Sequence, residues 1–357
     1  MRCEMAKSRY YGRDFITTAD WDKADLDRIL RLAREMREKR YEEPFTSLLK
    51  YRSFFMFFFN PSVRTRQSFE AAATELGGHA QYLEPKSMRL KTKKSAGETV
   101  EDAAKVMSRY AVGLGIRILE GAIERYGDGD ALLLEYARWA DIPVLNMADD
   151  KFHPFQGLAD IMAIEDHLEE LRGKTVLLTW AHGALARSWC SVQEHLLIAA
   201  KYGLNIRLAY PEGYDLDPQV IDTVKKYTLE NKAEFEITHD PVKSYEGVHI
   251  VYSRNWMSPQ AYEGGVFNKE KEIEKALTYK DWITTAEKMK KTDNAYFVHP
   301  MPVDRGHEVE DEVASGPRSL IYEIAENRLH VQKAAMALLM SCLLYTSPSP
   351  RDLSTSR

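Results

Sequence analysis

Short apolar runs alternate with amphipathic segments along most of the chain. Apolar runs of strand length occur at residues 54–59, 175–178, 206–210 and 248–252. The segment after the first run repeats its apolar residues at helical spacing and ends at a pair of glycines. Those apolar residues are Phe69, Ala72, Ala73 and Leu76. Because alternating strands and helices favour parallel sheets covered by helices, the sequence predicts an α/β fold.

The length of 357 residues predicts two domains, since a domain commonly holds roughly 100 to 200 residues. A second series of strands starts after a helical stretch, which places the boundary near residue 150. The predicted domains are residues 1–150 and 151–319, and a helix at 320–340 is long enough to return to the first domain. Residues 342–357 are rich in Ser, Thr and Pro, which predicts a disordered or artificial tail.

Composition narrows the class of partner. The chain has 49 Lys and Arg against 54 Asp and Glu, a net charge of -5, and no basic block, which argues against nucleic acid as the main partner. Its apolar runs fall short of the ~18 residues that a membrane span needs, and its start lacks the pattern of a signal peptide. Three widely separated cysteines favour reduced thiols. We therefore expect a cytoplasmic protein that acts on a small molecule.

A segment rich in hydroxyls and arginines follows the first apolar run. Residues 62–66 read Ser-Val-Arg-Thr-Arg and lie directly before the predicted helix. Backbone N–H groups at a helix start, together with guanidinium groups, are the donors that a phosphate dianion requires. The alternative is an ordinary capped helix start, because Ser and Thr are common caps.

Three further polar segments complete a pattern. They are His153-Pro154-Phe155-Gln156, His299-Pro300-Met301-Pro302 and Glu326-Asn327-Arg328. Each is weak alone, but with residues 62–66 and in this order they resemble the carbamoyltransferase family. That family includes aspartate, ornithine and N-acylornithine enzymes, and the match is closest to the ornithine and N-acylornithine branch. Residues 62–66 resemble its Ser-Thr-Arg-Thr-Arg carbamoyl-phosphate loop, with Val63 in place of a threonine.

The resemblance covers about residues 11–340 and implies an architecture. It implies two doubly wound, Rossmann-like parallel sheets joined by interdomain helices, one domain for carbamoyl phosphate and one for the amine acceptor. It also implies a homotrimer whose sites lie between neighbouring chains, with no metal or other cofactor. Lys93 and Lys94 fall in a segment that looks like the loop reaching in from the neighbouring chain. Ala96 stands where aspartate enzymes place a lysine in that loop.

The resemblance also assigns roles for carbamoyl transfer, in which a neutral amine attacks a carbonyl and phosphate leaves. Thr65, Arg117 and His153 are the predicted catalytic residues, which point at the carbamoyl oxygen. Ordinary salt bridges are the alternative for Arg117 and Arg328, and His299 is expected to be a structural support. The predicted carbamoyl-phosphate residues are Ser62, Val63, Arg64, Thr65, Arg66, Arg117, His153, Gln156, Pro300, Met301 and Arg328.

The acceptor side departs from the ornithine enzymes. Arg254 stands where they have an aspartate that pairs with the α-ammonium of ornithine, and an arginine would instead favour a carboxylate or a neutral amide. Pro300 likewise replaces their cysteine. We expect Arg187 and Arg254 to face the carboxylate or acyl end, unless they are ordinary surface arginines. The predicted acceptor residues are Arg187, Arg254, Asn255, Trp256, Ser258, Pro300 and Met301.

Two segments bear on which amine is carbamoylated. Residues 179–190 align with a loop of the N-acylornithine branch, whose backbone is knotted, which would place a knot in the second domain. Residues 304–309 and the terminal helix instead resemble ordinary ornithine enzymes. The favoured acceptor is thus ornithine, free or N-acylated, giving a citrulline-type product in arginine metabolism.

Other functions stay open at this point. One alternative is a carbamoyltransferase for aspartate, a polyamine or a purine-degradation intermediate. Another is a catalytically weak sensor of carbamoyl phosphate or an amino acid. A nucleotide-binding module has the least support, because the sequence contains neither a Gly-x-Gly-x-x-Gly nor a Walker loop.

Overall fold

The structure is a computed structural model, and it describes residues 8–341 except 86, 87, 89, 91–95, 185 and 266–268. Lys93 and Lys94, predicted to belong to the neighbouring-chain loop, lie outside the described residues. The predicted tail at 342–357 lies outside them as well.

The first sheet has four parallel strands in the order β2-β1-β3-β4. The strands are β1 (Ser53–Phe58), β2 (His79–Leu83), β3 (Gly113–Arg117) and β4 (Val144–Ala148). The helices of this part are α1 (Lys23–Glu38), α2 (Arg64–Glu75), α3 (Val100–Tyr110) and α4 (Asp128–Trp139). The strand order reverses between β1 and β3. A crevice therefore opens at the carboxyl ends of these two strands, where ligands of such sheets bind.

The second sheet has five parallel strands in the order β7-β6-β5-β8-β9. The strands are β5 (Thr175–Trp180), β6 (Asn205–Ala209), β7 (Phe235–Thr238), β8 (Ile250–Arg254) and β9 (Tyr296–Val298). The helices are α5 (Pro154–His167), α6 (Cys190–Lys201), α7 (Pro218–Glu230), α8 (Lys269–Ala276), α9 (Ala286–Met289), α10 (Asp311–Ala314) and α11 (Ile321–Met340). Short 3-10 helices occupy Thr18–Asp20, Phe45–Ser47, Lys243–Tyr245 and Pro259–Gly265. The order reverses between β5 and β8, so this sheet also has a crevice at its carboxyl edge.

The predicted fold class is confirmed: the protein has two parallel α/β sheets covered by helices. The knot in the second domain and the exact domain boundary stay predictions. Among the described residues, no helix is long and apolar enough to cross a membrane.

The terminal helix α11 joins the distant parts of the chain. It packs against α1, α2 and α5, and every side chain from Asn327 to Met340 is buried. The buried Lys333 donates from Nζ to the backbone oxygen of Arg40 at 2.7 Å and to Glu75 at 3.1 Å. Arg40 donates to the same carboxylate at 2.7 Å. These contacts fix α11 against the ends of α1 and α2. They therefore also fix Arg328, which lies between one and two turns earlier on α11, over the start of α2.

A second tie links the two sheets through α6. The buried carboxylate of Glu194 accepts from the Thr18 amide at 2.9 Å and from the Thr17 hydroxyl at 3.2 Å. On the same helix, Lys201 donates from Nζ to the Thr18 carbonyl at 2.7 Å. Burial raises the pKa of Glu194 to about 7, against the opposing effect of these hydrogen bonds. These contacts hold the segment before α1 against the helix that begins beside the second crevice.

The predicted glycine stop of α2 is a Schellman motif. Gly77 has φ of +79°, and its amide and that of Gly78 donate to the carbonyls of Thr74 and Ala73 at 2.9 and 2.8 Å. A Cβ at Gly77 would lie 2.4 Å from the carbonyl oxygen of Thr46. Both the backbone conformation and the space therefore require glycine here.

We expect Gly77→Ala to lower the free energy of unfolding by about 2 kcal/mol or more, because left-handed strain of about 1 kcal/mol adds to a backbone clash. Urea denaturation measures the loss. The matched control is Gly213→Ala, where φ is +85° and no atom lies within 4 Å of the position that the added Cβ would take, so only the strain should appear. Equal losses in the two variants would contradict the role of the Thr46 contact.

Candidate active site

A cavity lies between the carboxyl edges of the two sheets. It is lined by Ser62, Arg64, Thr65, Arg117, Leu119, Glu120, His153, Gln156, Ala186, Arg187, Ser188, Cys190, Ser191, Arg254, Pro300, Met301, Pro302 and Arg328. A wider groove beside β9 is lined mainly by apolar surface and lacks such a convergence of charged groups among the described residues. The two switch points of strand order thus open into one polar cavity.

The start of α2 forms one end of this cavity. No side chain caps the helix, whose first residue is Arg64, so the leading N–H groups of α2 are available to a ligand. Thr65 is buried, and its hydroxyl accepts from Nη2 of Arg328 at 2.8 Å. Val63 is 67% exposed and does not line the cavity. This end combines a helix dipole, a hydroxyl and two guanidinium groups, which together suit an anion.

Arg66, predicted to bind carbamoyl phosphate, is turned out of the cavity. Its Nε lies 3.0 Å from a carboxylate oxygen of Glu70, one helical turn later. Its guanidinium also lies 4.1 Å from the centre of the Tyr82 ring. Successive helical residues point in different directions, which is why Arg64 enters the cavity and Arg66 does not.

The guanidinium groups of Arg64, Arg117 and Arg328 interact with one another, and they are not each paired with an acidic side chain. Burial, followed by the charges of Arg117 and Arg64, lowers the pKa of Arg328. Burial likewise lowers the pKa of Arg117. The Nε atom of each of the three is buried and has no hydrogen-bond partner among the described residues. Because buried like charges are costly, the cluster favours a multiply charged anion between them.

His153 and Gln156 reach the same cavity from the start of α5. Burial and the charges of Arg328, Arg117 and Arg64 lower the pKa of His153 well below its usual value, so the imidazole is neutral at pH 7. Gln156 donates from Nε2 to Asp160 at 2.7 Å, which leaves its Oε1 to accept a hydrogen bond from another group. That Oε1 is buried and has no partner among the described residues. It can accept a hydrogen bond from an NH₂ group of a ligand.

The loop after β9 presents backbone groups to the cavity. Met301 has φ of +57°, and its amide donates to Nδ1 of the buried His299 at 2.9 Å. His299 in turn donates from Nε2 to Glu308 at 3.1 Å. His299 therefore holds the loop in place, in line with its expected supporting role, and it does not line the cavity.

Glu308, for which the sequence predicted no role, organises the wall of the cavity that the second sheet forms. Its buried carboxylate accepts from the amides of Asn255 and Asp304, each at 2.8 Å, and lies 3.4 Å from Nη1 of Arg187. Burial opposes its ionisation, but His299 and Arg187 with these hydrogen bonds keep the pKa of Glu308 below its usual value. The only signal in the sequence was the resemblance of residues 304–309 to ornithine enzymes, which named no interaction.

Arg187 and Arg254 converge on the opposite wall. Their Nη1 atoms donate to the same carbonyl oxygen, that of Pro302, at 2.7 and 3.3 Å. The Nε atoms of both, and Nη2 of Arg187, are buried without a partner among the described residues. Two guanidinium groups with unused donors form a site for a carboxylate.

The other predicted acceptor residues after β8 are turned into the protein. The side-chain amide of Asn255 donates to the Ala181 carbonyl at 2.9 Å. Trp256 donates from Nε1 to the Tyr214 carbonyl at 2.9 Å, and Ser258 donates to Glu272 at 2.8 Å. None of the three lines the cavity. They instead fix the loop that follows Arg254.

Comparison with known proteins agrees with this arrangement. Residues 13–166 match the family model of the aspartate/ornithine carbamoyltransferase carbamoyl-P binding domain. Residues 184–339 match the model of the Asp/Orn binding domain of the same family.

Curated relatives carry two substrate names. N-acetylornithine carbamoyltransferase of Xanthomonas axonopodis pv. citri is 33% identical over 341 residues, spanning 92% of this chain and 97% of that protein. Ornithine carbamoyltransferase of Staphylothermus marinus is 35% identical over 332 residues, spanning 92% of this chain and 98% of that protein.

Solved structures are similar over the same length. An acetylornithine transcarbamylase complexed with acetylcitrulline has a TM-score of 0.85 at 31% identity, covering 92% of this chain and 99% of that one. A mutant of N-acetyl-L-ornithine transcarbamylase, complexed with carbamyl phosphate and N-succinyl-L-norvaline, has a TM-score of 0.84 at 31% identity with the same coverage. The two family models and these relatives span nearly the whole described chain, and it therefore belongs to the aspartate/ornithine carbamoyltransferase family.

Proposed function

We propose that the protein transfers the carbamoyl group of carbamoyl phosphate to the amine of ornithine or an N-acylornithine. The products are a citrulline-type amino acid and phosphate. The observation that carries the proposal is the cluster of Arg64, Arg117 and Arg328 at the start of α2, whose unused donors call for a phosphate dianion. By resemblance to the family, we also propose a cytoplasmic homotrimer with residues 1–150 and 151–319 as the two domains.

Carbamoyl phosphate fits the donors and acceptors of this cavity. Its phosphate would lie at the α2 start, against Ser62, Arg64 and Thr65. Its carbamoyl oxygen would then face Arg117 and His153, since both line the cavity beside that end. A neutral His153 can donate one hydrogen bond there without adding another positive charge.

The carbamoyl nitrogen needs acceptors, and the cavity supplies one. The unpartnered Oε1 of Gln156 can take one of its protons, and the carbonyls near Pro300 and Met301 can take the other. Such fixed contacts orient the carbonyl carbon towards the second domain, where the amine enters.

The proposed reaction needs only carbamoyl phosphate and the amine. The neutral amine forms an N–C bond, the bond between the carbonyl carbon and the phosphate oxygen breaks, and the leaving phosphate takes the proton that the amine loses. Arg117 and the helix start would stabilise the charge that develops on the carbonyl oxygen and on the leaving phosphate. A sensor that only binds carbamoyl phosphate would not release phosphate in response to an amine.

The choice of acceptor rests on Arg187 and Arg254. Relatives at 33% and 35% identity bear different substrate names, so overall similarity does not choose between free and N-acylated ornithine. The two arginines have unused donors that face the cavity, which supports binding of the acceptor's carboxylate. Phosphate release with ornithine, N-acetylornithine, N-succinylornithine, aspartate and putrescine, offered separately, tests this assignment against other amines.

Arg64→Ala is expected to lower kcat/KM for carbamoyl phosphate by about 100-fold, since loss of one preorganised donor to a transition-state anion costs about 3 kcal/mol. Phosphate release under saturating acceptor measures the effect. Arg109→Ala removes an exposed arginine of α3 and serves as the control for net charge, with unchanged activity expected. Full activity in Arg64→Ala would refute the placement of the phosphate.

Arg254→Asp is expected to raise KM of the preferred acceptor by about 10-fold or more. The change replaces a group that donates to the acceptor's carboxylate with one that carries the same negative charge as that carboxylate. Arg254→Lys keeps the positive charge and should lose less. Steady-state kinetics with each amine at saturating carbamoyl phosphate provide the comparison. An unchanged KM for the preferred acceptor in Arg254→Asp would show that this residue does not bind the acceptor.

A further inference from the structure

Glu120 is the one acidic side chain that lines the cavity among the described residues. It lies three residues after Arg117, beyond the end of β3. Asn60 fixes this turn, because its side chain donates to the Glu120 carbonyl at 3.0 Å and accepts from the Leu119 amide at 2.7 Å. The position of the carboxylate is therefore set by the backbone on the first-domain wall.

The carboxylate of Glu120 is only partly satisfied. Its Oε2 is buried and accepts no hydrogen bond from the described residues. Burial raises the pKa of Glu120, and its own amide, the Ser188 hydroxyl and the charges of Arg117 and Lys269 act in the opposite direction. A glutamate with a purely structural role would direct a buried oxygen at a donor, as Glu308 and Glu194 do.

The other charged groups of the cavity are anion binders. Five guanidinium groups line it, those of Arg64, Arg117, Arg187, Arg254 and Arg328. A carboxylate among them weakens the binding of phosphate and of a ligand carboxylate, so neither ligand group accounts for it. A buried carboxylate oxygen with a free lone pair instead suits a ligand cation.

The acceptor of the proposed reaction supplies such a cation. Resting on that proposed function, we propose that Glu120 binds the side-chain ammonium group that ornithine and an N-acylornithine share, while Arg187 and Arg254 bind the carboxylate. This ammonium group loses one proton to water before the neutral amine attacks. Glu120 belongs to the first-domain wall and the two arginines to the second, so the acceptor bridges both walls. The substrate class is therefore an amino acid that presents both a carboxylate and an ammonium group to the cavity.

Glu120 then contributes to binding of the acceptor, while Arg64, Arg117 and Arg328 bind carbamoyl phosphate. Replacing the carboxylate by an amide of the same shape removes a charge-assisted hydrogen bond, which is worth about 1.5 to 3 kcal/mol or about 10- to 100-fold. That loss should appear in KM of the acceptor alone.

The experiment measures kcat and both KM values for the wild type, Glu120→Gln and Glu120→Asp, with whichever of ornithine and N-acetylornithine the wild type carbamoylates faster. In Glu120→Gln, we expect KM of the acceptor to rise at least about 10-fold. KM of carbamoyl phosphate should not rise, because the variant loses a negative charge beside the arginines that bind the phosphate. Glu120→Asp keeps the charge and should restore part of the affinity. Glu135→Gln removes an exposed carboxylate from α4 and is the control for net charge.

The outcomes separate the role of Glu120 from the function on which it rests. If the wild type carbamoylates the amine but Glu120→Gln keeps its KM, Glu120 does not bind the acceptor and the transferase assignment stands. An equal rise in both KM values would show that Glu120 only shapes the cavity, which also overturns the inference. If the wild type carbamoylates none of the five amines, the proposed function fails and the inference falls with it.

Discussion

The guanidinium groups of Arg64, Arg117 and Arg328 repel one another at the cavity, and the contacts around them hold them there despite this repulsion. Burial and mutual repulsion lower the pKa of Arg117 and Arg328, and the charges of all three also lower that of His153. Such an arrangement is costly in the absence of an anion, so the surrounding fold has to hold it together. A dianion bound among the three arginines would relieve this repulsion, which would link the stability of the site to its affinity for such an anion.

Contacts behind the cavity offset the unfavourable free energy of these repelling arginines. Helix α11 carries Arg328 to the Thr65 hydroxyl and is itself tied down by Lys333 at Glu75. On the acceptor side, Glu308 holds the loop amides and lies near Arg187, while Asp160 orients Gln156. Each of these cavity residues thus has a buried partner that fixes its direction, as a preorganised site requires.

The sequence was sufficient to predict the α/β class, the strands β1, β5, β6 and β8, and much of the cavity. Alternating apolar runs predicted the parallel sheets, the glycine pair predicted the end of α2, and the segments at 62–66 and 153–156 both contribute to the cavity. Side-chain direction was harder, because a motif names neighbours without saying which of them turn inward. Arg66 and Trp256 follow cavity residues in sequence yet pair with Glu70 and with the Tyr214 carbonyl. Glu120 lay in no recognised motif, and the resemblance of residues 304–309 gave Glu308 no role, since the contacts of both residues involve parts of the chain far away in sequence.

We propose that the arginine cluster at the start of α2 binds the phosphate of carbamoyl phosphate. A crystal structure of the protein with carbamoyl phosphate tests it most directly. We expect phosphate oxygens at about 3 Å from the Arg64 guanidinium and the first amides of α2, with the carbamoyl oxygen towards Arg117 and His153. A ligand bound elsewhere, with Arg64, Arg117 and Arg328 still lacking an anion between them, would contradict it.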